Sequence, residues 1–149
     1  MEMGDVFRDL KLVYTDGVPY NELEHHLTEE DVQRWCVQFG LSRTHLFDAI
    51  ARHLALGFDK RELTFEFCDA VVNDLSIAVT NTSGPRPELF WEVYSAFDEG
   101  EYYHDENRQE DPVEVHTRPI IAQLARTISS SPDQVADDTA RTSTKHSLQ

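Results

Sequence analysis

The chain has 149 residues, 40% of them hydrophobic, with 28 acidic residues against 13 basic ones and a formal net charge of −15. That length suffices for one domain with a real core. The charge argues against nucleic acid as a partner, because phosphate binding needs a basic footprint, and no apolar run approaches the ~18 residues of a membrane span, so no membrane association is expected.

Helix signals recur along the chain and strand signals do not. Phe7, Leu10 and Tyr14 are spaced for a short first helix, with a strand over "LKLVY" as the alternative. "YNELEHHL" predicts another short helix capped by Asn21. Thr28 opens a clearer one: its hydroxyl can accept a backbone N–H, and Glu29, Glu30 and Asp31 suit the positive end of the helix dipole. Val32, Trp35, Cys36 and Phe39 form its apolar stripe, and Gly40 stops it. Ser42 caps the next helix, with Leu46, Ala49, Ile50, His53 and Leu54 facing inward and Gly57 at its end.

Asp59 is expected to cap the longest helix, about residues 60–79, whose Leu63, Phe67, Ala70, Val71, Leu75, Ala78 and Val79 fall at spacings of three and four. Its continuous apolar face makes it the expected centre of the fold. "NTSGPRP" reads as a loop, and Pro87 suits the first helical position. Leu89, Phe90, Val93, Tyr94 and Phe97 follow, with Gly100 as the stop. After an acidic loop, Asp111–Pro112 can start a turn, and Ile120, Ile121, Leu124 and Ile128 mark a last helix.

The prediction is an all-α fold: a single compact helical bundle of six or seven helices over residues 1–128, then a disordered C-terminal tail at 129–149. Cys36 and Cys68, the only cysteines, sit in helical apolar patterns and read as reduced core residues of a cytoplasmic protein, with a disulfide as the alternative. The start of the chain lacks the basic-then-apolar order of a signal peptide.

Three chemistries were weighed against the residues. None of the seven histidines forms the i, i+4 pair of a zinc-protease helix, and His104, Asp105, Glu106 and His116 read as solvated loop residues unless the loop folds back on itself. No metal and no cofactor are therefore expected. Glu66-x-x-Asp69 resembles one half of the paired acidic motif of the all-α, magnesium-dependent pyrophosphohydrolases; "EEDVQ" at Glu29–Gln33 is nearest to the other half, but Gln33 stands where its final acid belongs. "VQRWCVQFGLSRTHLFDAIARHL" resembles a helix-turn-helix, which would turn Arg43, Thr44 and Arg52 to a DNA groove. Against that, Asp48 falls on the reading face, and Glu29, Glu30 and Asp31 would approach phosphates. No glycine–serine elbow or phosphate-cradling glycine loop supports an enzyme, so a non-enzymatic protein is expected.

The charge itself is the remaining signal. Residues 88–114 carry −9 of the −15. Asp98 and Glu99 fall at the negative end of a helix dipole, a cost of about 0.3–1 kcal/mol each, and residues that break a local rule without compensation are candidates for function. Rings beside carboxylates suit a binding patch, where charge gives capture and aromatics give short-range energy. The expected contact residues are Trp91, Asp98, Glu99, Glu101, Tyr102, Tyr103, Asp105 and Glu106, and the expected partner is a basic protein, with a homo-oligomer left open. A carboxylate surface can stand in for phosphates at a cationic protein's nucleic-acid site, as in an immunity protein against a nuclease-type toxin, and a basic helix or groove of an assembly partner is the alternative; "PELFWEVYSAFDEGEY" and "DPVEVHTRP" resemble small acidic helical bacterial proteins found as toxin antidotes or as uncharacterised families.

Overall fold

Side chains at the helix starts fix where the helices begin. The computed structural model describes residues 3–15 and 17–130. Helix α1 (Gly4–Val13) buries Val6 and Leu10, so "LKLVY" is helical. At α2 (Glu29–Phe39) the Thr28 hydroxyl accepts the Asp31 N–H at 3.3 Å while the Asp31 carboxylate accepts the Thr28 N–H at 2.9 Å, a reciprocal capping box. Gly40 ends the helix in the left-handed region at φ 62°. Ser42 caps α3 (Arg43–Asp59) through the His45 N–H at 3.2 Å.

Two expected boundaries move, for packing reasons. Helix α3 runs through Gly57, because that glycine serves a close approach rather than a stop: a Cβ there would lie 2.5 Å from Leu63 Cδ1. The chain turns at Arg61, φ 62°, and α4 (Phe65–Thr80) starts at the Thr64 cap, whose hydroxyl accepts the Phe67 N–H at 3.1 Å, not at Asp59. The centre moves too. Helix α3, at 17 residues, is longer than α4 at 16 and packs against α2, α4, α5 and α6.

"YNELEHHL" yields only a 3-10 turn over Tyr20–Glu22. Tyr20 and His26 instead direct their side chains to Asp74 of α4. Helix α5 (Glu88–Glu99) has no cap of its own, so Asp48 of α3 accepts the Phe90 N–H at 3.0 Å; burial raises the pKa of that carboxyl. A π-helical turn over Val113–Thr117 then feeds α6 (Arg118–Ser130), which buries Ile121, Ala125 and Ile128. That helix passes residue 128 by two residues, and the rest of the expected tail lies outside the described residues.

The result is an all-α bundle, with six α-helices and no strand among the described residues. Trp35, Phe47, Phe58, Phe90 and Phe97 are among its largest fully buried side chains, each worth about 1.5–3 kcal/mol of apolar burial. Cys36 and Cys68 are both free, and burial pushes the Cys68 thiol up. No helix among the described residues is long and apolar enough to cross a membrane.

Candidate functional site

The acidic segment leaves the bundle at the C-terminal end of α5, and its ends are fixed by packing. Phe97 is held edge-on by Phe58, ring centroids 5.2 Å apart, and by Phe65 at 5.9 Å. Gly100 is buried there, because any Cβ would run into Thr117 Oγ1 and the Phe65 ring. The Thr117 hydroxyl donates to the Ala96 carbonyl at 2.7 Å. Arg118 lays its guanidinium 4.2 Å from the centre of the Phe58 ring and donates to the Phe58 carbonyl. Both ends of loop 100–112 are thus tied to α3 and α5, and the acids between them are carried on a firm base.

Inside the loop the side chains order themselves. The Gln109 N–H donates to Asp105 at 3.0 Å and the Val113 N–H to Asp111 at 3.0 Å. His104 Nε2 lies 2.8 Å from the Glu99 carbonyl and 3.2 Å from its carboxylate. The His104 ring contacts Tyr102 on one side, at 4.3 Å between centroids, and His116 on the other, at 3.8 Å. Tyr102 is 48% and Tyr103 50% exposed, with Arg108 over the Tyr103 ring at 5.5 Å.

A second layer comes from α4. Asp69 faces Glu101 and Asp98, and Asn73 donates to Glu101 at 3.1 Å. Burial first, then the charge of Glu101, pushes the Asp69 carboxyl up to about 8. Burial and a hydrogen bond with Asp98 raise Glu101 as well. Asp69 Oδ1 is sealed from solvent and meets no donor, the arrangement a neutral carboxyl tolerates and a carboxylate does not. Three acids therefore pack together with Asn73 as their amide neighbour.

Seven of the eight predicted contact residues, Asp98, Glu99, Glu101, Tyr102, Tyr103, Asp105 and Glu106, gather at this end of the molecule. Trp91 does not join them. It sits two turns back along α5, roughly 10 Å from Asp98, where it lines a crevice of about 280 Å³ with Phe47, Val79 and the 84–87 loop. Its ring is half-buried, edge-on to Phe90 and Tyr94, with Arg86 above it at 5.4 Å. Asp69 and Asn73 are neighbours of the patch that the sequence reading does not name, whereas His116 meets His104 as a folded-back loop requires. One signal could have found Asp69. A short connection makes α4 and α5 antiparallel, and counting outward from Thr80 and Glu88 pairs residue 69 with residue 99.

The other two resemblances meet different surroundings. The helix–Gly–helix corner forms, but Arg43 pairs with Glu29 at 3.1 Å and donates to Thr82 at 2.7 Å, Thr44 donates to the Pro85 carbonyl, and Asp48 caps α5. Those side chains face the 81–87 loop and its neighbours rather than a groove. The acids of α2 are engaged as well: Glu29 with Arg43, Asp31 with Thr28 and Arg34. Asp69 meets acids of α5 and its loop instead.

No protein-family model, curated protein or solved structure matches the chain.

Proposed function

We propose that the end of α5 and loop 100–112 form a docking face for a cationic protein, and that the protein works by binding rather than catalysis. The observation that carries this reading is the packing of Asp69, Asp98 and Glu101 against one another; burial together with that crowding raises the Asp69 carboxyl and favours its holding a proton. A lysine or arginine from a partner would displace that proton and turn repulsion into pairing. Half-exposed Tyr102 and Tyr103 add ring surface beside it. The surrounding negative field speeds capture and sets orientation. In its most concrete form the partner is a nuclease-type toxin whose nucleic-acid site accepts these carboxylates in place of phosphates, and the chain is its cytoplasmic antidote.

The test is calorimetric titration with an oligo-arginine peptide in two buffers of different ionisation heat. Binding at pH 7 is expected to release a proton. Asp98→Asn with Glu101→Gln should weaken it about tenfold or more, since a close charge pair couples by ~1.5 kcal/mol upward. Glu22→Gln with Glu24→Gln, two exposed acids elsewhere, should leave it unchanged. Equal losses in both double variants would mean that only total charge matters, and the docking face would be abandoned.

A further inference from the structure

The loop folds back far enough to bring His104 onto His116, and the chemistry of that meeting differs from that of the acids around it. Glu99 ends α5, His104 follows five residues later in the loop, and His116 comes from the π-helical turn before α6. One ligand atom from each lies within 4.8 Å of the other two. We propose that Glu99, His104 and His116 form a binding site for a zinc-class divalent cation.

Geometry favours such an ion. A tetrahedral site with bonds of ~2.0–2.2 Å has ligand atoms roughly 3.3 Å apart. The Glu99 carboxylate and His104 Nε2 stand at 3.2 Å, the length of one edge of the tetrahedron, and a metal would replace the proton that Nε2 now shares with the Glu99 carbonyl at 2.8 Å. The His116 nitrogen has to close by less than about 2 Å from the 4.8 Å limit, a movement within reach of a side-chain rotation on a half-buried residue. Three protein ligands leave one position for water.

The backbone supports the same conclusion. A π-helical turn widens the helix by one residue, and such turns recur at functional sites. Here the Arg118 N–H bonds to the Val113 carbonyl across the turn, and His116 is carried between them. Thr117, next to it, is locked to Ala96 by its hydroxyl. His116 thus hangs from anchored backbone, as a metal site requires.

The ligand set also selects. Two imidazoles and one carboxylate suit zinc, copper or nickel, whereas magnesium and calcium ask for six or more oxygens. The site shares Glu99 and His104 with the proposed docking face, but it needs no partner protein and is tested by zinc alone.

The experiment is calorimetric titration of the chelator-stripped full chain with zinc chloride, with magnesium chloride in parallel. One zinc per chain and no heat from magnesium are expected. Glu99→Gln, His104→Gln and His116→Gln should each weaken zinc by more than the roughly 10–100-fold that loss of an outer partner costs. His25→Ala with His45→Ala, which removes two exposed histidines elsewhere, should leave affinity unchanged, as should Asp98→Asn with Glu101→Gln leave the stoichiometry at one. Absence of zinc heat, or a zinc affinity in the His104 or His116 variant equal to that of the unaltered chain, would overturn the site. Should a variant unfold, proton NMR of the unaltered chain decides: one equivalent of zinc must move the imidazole signals of His104 and His116 and not those of the other histidines.

Discussion

Helix α4 carries two carboxyls, Asp69 and Asp74, that meet burial in opposite ways. Asp74 is 9% exposed and accepts hydrogen bonds from the Tyr14 hydroxyl at 2.5 Å and from the Tyr20 hydroxyl, with His26 Nδ1 at 3.1 Å. Tyr14, Tyr20 and His26 close over it, and burial with the Asp74 bond raises the Tyr14 hydroxyl strongly. Asp69, five residues earlier, has like-charged neighbours and one amide. One carboxyl is completed by its own chain and pins a loop to the bundle. The other is packed against acids, and burial with that crowding raises its carboxyl. That difference separates a structural polar cluster from a candidate site better than burial alone, because both groups are largely out of water.

The comparison breaks most visibly by deletion. Asp74→Ala leaves the buried Tyr14 hydroxyl without its acceptor and frees Tyr20 and His26. The expected loss is about 3 kcal/mol, from one buried orphan and the bonds around it, read as a lower urea midpoint with an unchanged slope. Asp69→Asn is expected to cost less than ~0.5 kcal/mol at pH 5, since a neutral carboxyl is replaced by a neutral amide. Equal costs for the two would end the distinction.

The pH dependence sharpens it. Asp69 titrates near 3.8 when unfolded and at about 8 when folded, so between those values the folded state holds more protons. Its contribution is fully present below about pH 4 and is lost as pH rises through about 8. The unaltered chain should therefore lose stability relative to Asp69→Asn from pH 5 to pH 8. Urea midpoints at four pH values check this. A parallel pair of curves would show that Asp69 ionises normally and that the acids do not repel.

Local chemistry was legible in the sequence wherever one residue decides it. Thr28, Ser42 and Gly40 act where the spacing put them, because a cap needs only its own first or last turn. Gly100 does stop α5, as its place predicts, whereas Gly57 lies inside α3, and at both a Cβ would run into another side chain. Nothing local encodes that. The contact residues after Gly100 are consecutive, so their gathering follows from chain connectivity. Asp69 reaches them only through the register of the α4–α5 pair, and His116 only through the turn that returns α6 to α3. Trp91 shows the converse. Its closeness in sequence to the acids suggested one patch, but along a helix seven residues are about two turns, and that carries it to the other end of α5.

The smallest effect lies in the Asp74 cluster. Tyr20 is 47% exposed, and its hydroxyl bonds to Asp74 from the solvent side. Tyr20→Phe should cost only about 0.5 kcal/mol near pH 7, the lower end for a hydrogen bond, because water can replace the hydroxyl. The difference must change with alkalinity. Burial, then the bond to Asp74, pushes the Tyr20 hydroxyl from 10.0 up to about 12. Between those values the folded state holds a proton that the unfolded state has lost, so the stabilisation by Tyr20 drains away as pH rises. The stability gap between the unaltered chain and Tyr20→Phe should close over that interval in urea unfolding. If it stays constant, the Tyr20 hydroxyl is not coupled to Asp74, and the cluster rests on Tyr14 and His26 alone.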